Sequence, residues 1–106
     1  MAFDIYITGF REKIEKQVSL RLSDYYIIKE KINCQEKFPI MKKCFNDYYG
    51  EYEIYFNELP DLKEEVLSFS NINSLNSDSL KNFISLFLEI IDYAIKNNQS
   101  IKFVGD

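Results

Sequence analysis

Residues 77–96 read SDSLKNFISLFLEIIDYAIK, and this stretch decides the fold. Its apolar side chains recur every three or four residues, which predicts an amphipathic helix over 78–96. Ser77 or Asp78 is the expected N-cap, because a short side chain bearing an oxygen can accept a hydrogen bond from a first-turn amide. Further leucine and isoleucine side chains widen the apolar stripe. We therefore expect this helix to lie across a sheet at the centre of the core.

Alternating patterns before and after this helix predict the strands of that sheet. Residues 2–8 alternate apolar and polar side chains, and residues 14–22 do so again after a charged turn. These two segments should pair as an antiparallel hairpin. Residues 51–57 alternate as well, and 101–104 form a short last strand. The side chains of the third segment that are predicted to face the core are Tyr52, Ile54 and Phe56.

Three shorter helices are predicted between the strands, over 24–32, 38–50 and 60–68. Ser23 is the expected N-cap of the first, and Pro39 suits the first turn of the second. Residues 70–77 are rich in asparagine and serine and are predicted to be a loop. Together these elements predict a single α+β domain over 1–106. In it, a small, mainly antiparallel sheet of about four strands packs against three to four helices.

The residue types favour binding over catalysis. The chain has 106 residues and no histidine, so the commonest general base and metal ligand is missing. Its 3 glycines are scattered, which leaves no loop to hold a phosphate, and no nucleophile elbow occurs. Adjacent carboxylates such as Glu64 and Glu65 are expected to be solvated charge rather than an acid–base pair. We therefore expect no enzymatic activity, no metal and no cofactor.

No segment predicts export or membrane insertion. Residues 1–10 lack a basic start and a cleavage site, and the apolar stretch 83–95 is too short to cross a bilayer. We expect the protein in the cytosol, where Cys34 and Cys44 would stay reduced. Two thiols without histidine are poorly suited to zinc, so both are expected to be buried as small apolar side chains.

The net charge of −4 is unevenly distributed along the chain. Residues 47–65 carry seven carboxylates against one cation, Lys63. The predicted strand over 51–57 projects some of these carboxylates from its solvent face, beside a tyrosine ring. The predicted interaction surface consists of Asp47, Glu51, Glu53, Tyr55, Glu58 and Asp61. An acidic surface with aromatic anchors suits a basic protein partner.

The charge pattern has two other interpretations. The acidic residues could serve only solubility, because net charge by itself argues for solubility rather than function. The basic residues of 11–21 are interleaved with glutamates, so they lack the continuous positive charge that tracks a phosphate backbone. Direct binding to nucleic acid is therefore not expected.

Four segments of the chain carry a resemblance to a known family. They are AFDIYITGF (2–10), LRLSDYYIIKEKI (20–32), ELPDLKEEV (58–66) and YAIKNNQSIKFVGD (93–106). On these segments the chain resembles small immunity proteins of bacterial contact-dependent growth-inhibition and related polymorphic toxin systems. Such proteins also run from an opening strand to a long helix and end in a short strand with Gly-Asp. The resemblance covers most of the chain in layout.

The resemblance implies a specific partner. Immunity proteins of this kind bind and neutralise the C-terminal toxin domain encoded beside them. Such toxins are often nucleases, which are basic because they bind phosphate backbones. The hypothesis is that the acidic surface covers the toxin's substrate cleft or a neighbouring exosite. A non-enzymatic adaptor or assembly subunit is the alternative, and an enzyme that uses only carboxylates and tyrosine is a third.

Overall fold

The computed structural model describes residues 3–8, 14–45, 50–73 and 77–105. Within these ranges the chain forms four strands and four α-helices. In chain order they are β1 (Phe3–Thr8), β2 (Ile14–Leu20), α1 (Leu22–Asn33), α2 (Pro39–Cys44), β3 (Glu51–Ile54), α3 (Leu59–Ile72), α4 (Asp78–Asn97) and β4 (Ile101–Gly105). A 3₁₀ turn, Phe56–Glu58, joins β3 to α3. The predicted α+β class, the antiparallel hairpin and the long last helix are confirmed.

The sheet is antiparallel throughout, with the strand order β2-β1-β4-β3. Most of the alternate side chains that face the helices are buried, as Ile5 and Phe103 illustrate where they face each other across β1 and β4. The other side chains form what we call the outer face of the sheet. Its described members are Asp4, Tyr6, Gln17, Ser19, Glu51, Glu53, Lys102 and Val104. All of them are exposed or half-buried.

Five aromatic rings meet at the centre of the core, four from β1, α1, α4 and β4 and the fifth from Phe45, the residue that follows α2. Phe103 of β4 lies with its ring centroid 5.9 Å from that of Phe87 on α4 and 6.0 Å from that of Phe45. Phe3 of β1 lies 4.9 Å from Tyr25 of α1, whose hydroxyl donates a 2.7 Å hydrogen bond to the carbonyl of Phe45. These rings join the sheet to the helices, and α4 lies across the core as predicted.

Both ends of α4 are capped, the first by a side chain and the last by a residue in the left-handed conformation. The hydroxyl of Ser77 accepts a 3.4 Å hydrogen bond from the Leu80 amide, so Ser77 is the N-cap. Asn98 follows the last turn in the left-handed conformation, with φ of 52°. Asparagine tolerates that conformation better than most residues, and it commonly ends helices in this way. The predicted bounds of 78–96 are therefore correct to within one residue.

A buried carboxylate links the start of α1 to the start of α4. Asp24 is 4% exposed and accepts a 2.6 Å hydrogen bond from the Ser79 hydroxyl. It also forms a 3.3 Å ion pair with Arg21. The predicted cap of α1 is wrong, because the helix begins at Leu22 and Ser23 lies inside its first turn. The first-turn carboxylate thus bonds to another helix rather than to the α1 backbone.

Two predicted helices have different lengths in the structure. The second helix ends at Cys44 instead of 50, and residues 46–49 lie outside the described part of the chain. The third helix runs to Ile72, so the predicted loop over 70–77 is wrong for 70–72. Its last turn is stabilised by Asn73, whose amide and side chain both donate to the Phe69 carbonyl at 3.0 Å. Burial of Phe69 thus overrides the weak helix propensity of serine and asparagine.

The third predicted strand is shorter than the alternating pattern. It ends at Ile54, which lies opposite Ile101, the first residue of β4. Tyr55 therefore has no residue of β4 to pair with, and its carbonyl instead accepts a 3.0 Å hydrogen bond from the Glu58 amide. Tyr52 and Ile54 face the core as predicted, whereas Phe56 is 51% exposed and the prediction for it is wrong.

Candidate protein-interaction surface

The acidic residues of β3 belong to rows of side chains that cross the outer face. Glu53 lies opposite Lys102 of β4, which in turn lies opposite Tyr6 of β1. Opposing side chains in antiparallel strands are about 5 Å apart at their Cβ atoms. Lys102 is therefore placed between a carboxylate and an aromatic ring, where it balances part of the negative charge of the first row.

A second row lies beside the first. Glu51 is opposite Val104, which is opposite Asp4. The Asp4 carboxylate accepts a 2.6 Å hydrogen bond from the hydroxyl of Ser19 on β2, which fixes its position. The described residues of the outer face thus carry three carboxylates against one ammonium group, a net charge of −2. This charge comes from three strands that are distant in sequence.

A shallow depression of about 230 Å³ lies over β3 and β4 on this face. Its lining includes Tyr6, Glu51, Glu53 and Lys102. Pockets that enclose a small-molecule ligand are usually larger, at about 300–1,000 Å³. The depression has room for one long side chain of a partner, with carboxylates at its margin to receive a positive charge.

Two aromatic side chains are exposed where the chain leaves β3. Tyr55 is 58% exposed and Phe56 is 51% exposed. Tyrosine and other aromatic side chains contribute strongly to binding where they become buried in an interface. The end of β3 therefore combines negative charge with a large apolar area. The prediction placed Tyr55 on this surface, whereas Phe56 was assigned to the core.

Glu58 lies on the other side of β3. Its charge contributes to raised pKa values of both Tyr52 and Cys44, which are side chains on the helical side of the sheet. For each of the two groups, burial is the largest cause of the raised pKa. Glu58 itself is half-buried. Glu58 therefore lies near side chains of the helical side, whereas Glu51 and Glu53 project on the outer face.

The carboxylates of α3 differ in their roles. Asp61 is exposed in the first turn, where the helix dipole favours a negative charge. Both oxygens of Glu65 accept hydrogen bonds of 2.9–3.1 Å from the amides of Ile40 and Met41. These amides open α2 and would otherwise lack partners. The expectation that Glu65 is solvated charge is therefore wrong, because it holds α2 against α3.

We expect Glu65→Ala to lower the free energy of unfolding by about 2 kcal/mol, because hydrogen bonds to a charged group are among the stronger ones. Glu64→Ala is the matched control, since Glu64 is the exposed neighbour and its loss should change stability by less than about 0.5 kcal/mol. Urea denaturation of the two variants measures the difference. Equal stabilities would show that the contact with α2 contributes nothing.

The six predicted residues of the interaction surface are only partly brought together. Glu51 and Glu53 share the outer face, and Tyr55 lies immediately beyond it. Glu58 and Asp61 lie with the helices, and Asp47 falls outside the described residues. Sequence reasoning did not join Asp4, Tyr6 and Lys102 to this surface. Alternation within their own segments showed that they face away from the core, but not which strands are neighbours.

The two cysteines have different surroundings. Cys44 is 2% exposed, as predicted, and burial raises the pKa of its thiol, with the charges of Glu65 and Glu58 adding to the effect. Cys34 is exposed at the C-terminal end of α1, so the prediction that it is buried is wrong. Cys34 is the C-cap residue of α1, beyond the buried stripe that ends at Ile32.

We expect one of the 2 thiols to react with a disulfide reagent in the native protein at pH 8. Cys34 should react within minutes, whereas Cys44 should react only on unfolding, because it is buried and its raised pKa keeps it protonated. The variant Cys34→Ser should therefore show no fast reaction. A fast reaction in that variant would contradict the burial of Cys44.

The described part of the chain contains no helix that is long and apolar enough to cross a membrane. The same residues contain no group of three or more cysteine, aspartate or glutamate side chains arranged to hold a metal ion.

The described residues thus form a four-stranded antiparallel sheet with helices on one face and, on the other, an acidic face that the described helices leave uncovered. The same fold occurs in a solved structure described as a Neisseria DNA mimic protein, DMP12. The match has a TM-score of 0.64 and covers 98% of this chain and 99% of that chain. The sequences are 13% identical, so the likeness concerns the fold alone. No protein-family model and no curated protein sequence matches the chain.

Proposed function

We propose that this protein binds the basic, DNA-contacting surface of a partner protein through the outer face of its sheet. The observation that carries the proposal is the pair of rows across β3, β4 and β1. They hold Glu51, Glu53 and Asp4 on a face that the described helices leave uncovered. The exposed rings of Tyr55 and Phe56 extend this surface with apolar area.

The spacing of the carboxylates supports a partner that recognises arrays of negative charge. Side chains two residues apart on a strand are separated by about 6.8 Å, and neighbouring strands by about 4.8 Å. Glu51 and Glu53 have the first relation, and two strand spacings separate Glu51 from Asp4. A DNA-binding surface carries lysine and arginine placed to meet successive phosphates. The fold is shared with a protein described as a DNA mimic, which supports a DNA-binding protein as the partner.

A more specific proposal concerns the identity of the partner. The resemblance to immunity proteins points to a toxin domain, and a nuclease would supply the basic surface. This protein would then act as a stoichiometric inhibitor that excludes the nucleic acid. The resemblance of the short segments supports this proposal, and the negative charge of the outer face suits a basic toxin.

A second candidate function is an assembly subunit. It is favoured by the exposure of Leu22, Tyr26 and Ile27 on α1, on the helical side of the molecule. An assembly partner would bury these side chains and leave the outer face of the sheet free. Alanine substitution of Tyr26 and Ile27 would then abolish binding to the partner, whereas substitutions on β3 would not.

The test is competition with DNA for an identified partner. If a large secreted protein is encoded beside this chain, as the resemblance implies, its C-terminal domain is co-expressed with the chain, and growth rescue and co-purification are measured. Duplex DNA is then titrated into the purified complex, and we expect it to displace the protein. Rescue without displacement by DNA would contradict binding at the DNA-contacting surface. Failure of both rescue and co-purification, with the domain's toxicity established, would contradict the toxin as partner.

A further inference from the structure

The strand β3 lies at the edge of the sheet, and its outward backbone groups can be identified from the register. The amide of Gly105 donates a 2.9 Å hydrogen bond to the carbonyl of Gly50, directly opposite. Hydrogen-bonded and non-hydrogen-bonded pairs alternate along antiparallel strands. Tyr52 and Ile54 therefore bond to β4. The amides and carbonyls of Glu51 and Glu53 point away from the sheet.

These four backbone groups are the ones that an additional strand would use. An extended segment can add to an exposed sheet edge through main-chain hydrogen bonds, while its alternate side chains provide specificity. Folded proteins often protect such edges by keeping them short or by placing charges on them. The edge of β3 is four residues long, so it can be paired by a short segment of a partner.

The charge of this edge selects the kind of segment that can pair with it. A second copy of β3 would bring the glutamates of both chains onto one face, and like charges directly opposite each other are destabilising. A segment with lysine or arginine at those positions would instead form favourable opposite pairs. The charges therefore disfavour self-association and favour a basic partner.

The alternation of the sheet fixes the spacing of the positive charges. Glu51 and Glu53 both project on the outer face, so the residues opposite them must be two apart in the partner. The depression of about 230 Å³ beside them can receive the aliphatic stem of one of these side chains. The exposed rings of Tyr55 and Phe56 at the end of β3 can pack on the apolar residues that follow.

We propose that β3 accepts, as an additional strand, an extended segment of the partner with basic residues at alternate positions. This inference rests on the proposed function, because it specifies how the basic partner is held. In this arrangement the partner is held both by the electrostatic attraction of the outer face and by backbone hydrogen bonds along β3.

The test compares two substitutions of one residue. Glu53→Gln removes the charge and keeps the amide, whereas Glu53→Pro removes both the charge and the outward N–H. Proline is accepted on an edge strand where its missing N–H faces solvent, and the bonds of Tyr52 and Ile54 to β4 are preserved. Circular dichroism and thermal unfolding of the two variants establish that both keep the native fold.

The probe is a seven-residue peptide of alternating lysine and valine, and the control is its isomer with the lysines contiguous. Binding to the full chain is followed at low salt by NMR titration. We expect the alternating peptide to bind at least fivefold more tightly than its isomer, and Glu53→Pro to bind it at least fivefold more weakly than Glu53→Gln. In the wild-type protein, bound peptide should slow hydrogen exchange of the Glu51 and Glu53 amides, a measurement that needs no variant.

Equal binding of the two peptides, with unchanged hydrogen exchange at the Glu51 and Glu53 amides, would overturn the inference. Absence of peptide binding at millimolar concentration would overturn it as well. If Glu53→Pro and Glu53→Gln weaken peptide binding equally, only the charge matters and the inference is also overturned. Each of these results leaves the proposed function standing if DNA still displaces the protein from its partner. If DNA fails to displace the protein from its partner, that separate result contradicts the proposed function itself.

Discussion

Replacing Phe103 by alanine will lower the free energy of unfolding by about 3–5 kcal/mol, the range for truncating a buried phenylalanine. The side chain of Phe103 is fully buried, and its ring lies within 6.3 Å of the rings of Phe3, Phe45 and Phe87. The cavity left behind adjoins the sheet and α4, so it has little freedom to collapse. The free energy of unfolding of small domains is about 5–15 kcal/mol, so the variant should lose a large part of its stability.

The matched control is the same substitution at Phe56, whose ring is half exposed. Phe56→Ala should cost less than about 1 kcal/mol, because much of its ring is already in contact with water. Chemical denaturation of both variants provides the comparison. Similar losses of stability would show that Phe56 packs more strongly than its exposure indicates. A small loss at Phe103 would contradict its place at the centre of the core.

Reversing two charges on the outer face will slow association with the basic partner by about 10–100-fold at low salt. The variant is Glu51→Lys combined with Glu53→Lys, which turns the negative end of each row positive. Electrostatic attraction can raise association rates by orders of magnitude above those of neutral surfaces, and like charges suppress encounter. The dependence of the rate on salt should weaken or reverse. Stopped-flow or biosensor kinetics at several ionic strengths measures both effects.

The control for net charge is Glu30→Lys combined with Glu36→Lys. Both residues are exposed, and they lie on or just after α1, away from the outer face of the sheet. This pair changes the total charge by the same amount. If the outer face is the binding surface, the control should change the rate by less than about threefold, since screening removes most distant interactions. Equal effects of the two pairs would indicate attraction by net charge alone.

The elements with strong hydrophobic periodicity could be predicted from sequence, because their burial pattern is set within the segment itself. The helix α4 has an apolar stripe that continues for five turns, and a serine at its start that caps it. The end of β3 could not be predicted in this way. Residues 51–57 alternate, but the strand stops at Ile54 because β4 offers no residue beyond Ile101. The length of a strand is limited by its neighbour as well as by its own pattern.

The candidate surface, too, could be predicted from sequence only in part. Residues 47–65 are acidic as a group, but the fold distributes their charges among separate environments. Glu51 and Glu53 lie on the outer face, while Glu65 holds the start of α2. The strand order that brings Asp4 onto the same face depends on the whole chain, with β4 inserted between β1 and β3. Proximity in sequence therefore predicted only part of the surface.

The central position of β4 has a consequence for how the chain folds. Phe3 of β1 pairs with Gly105 of β4, so the two middle strands of the sheet are separated by almost the whole described sequence. Pairings between such distant residues form slowly, because a long loop must close first. During synthesis the β1–β2 hairpin can form early, but the other side of β1 stays open until β4 emerges. We expect this unfilled edge to be the site where a chaperone binds or where nascent chains associate wrongly.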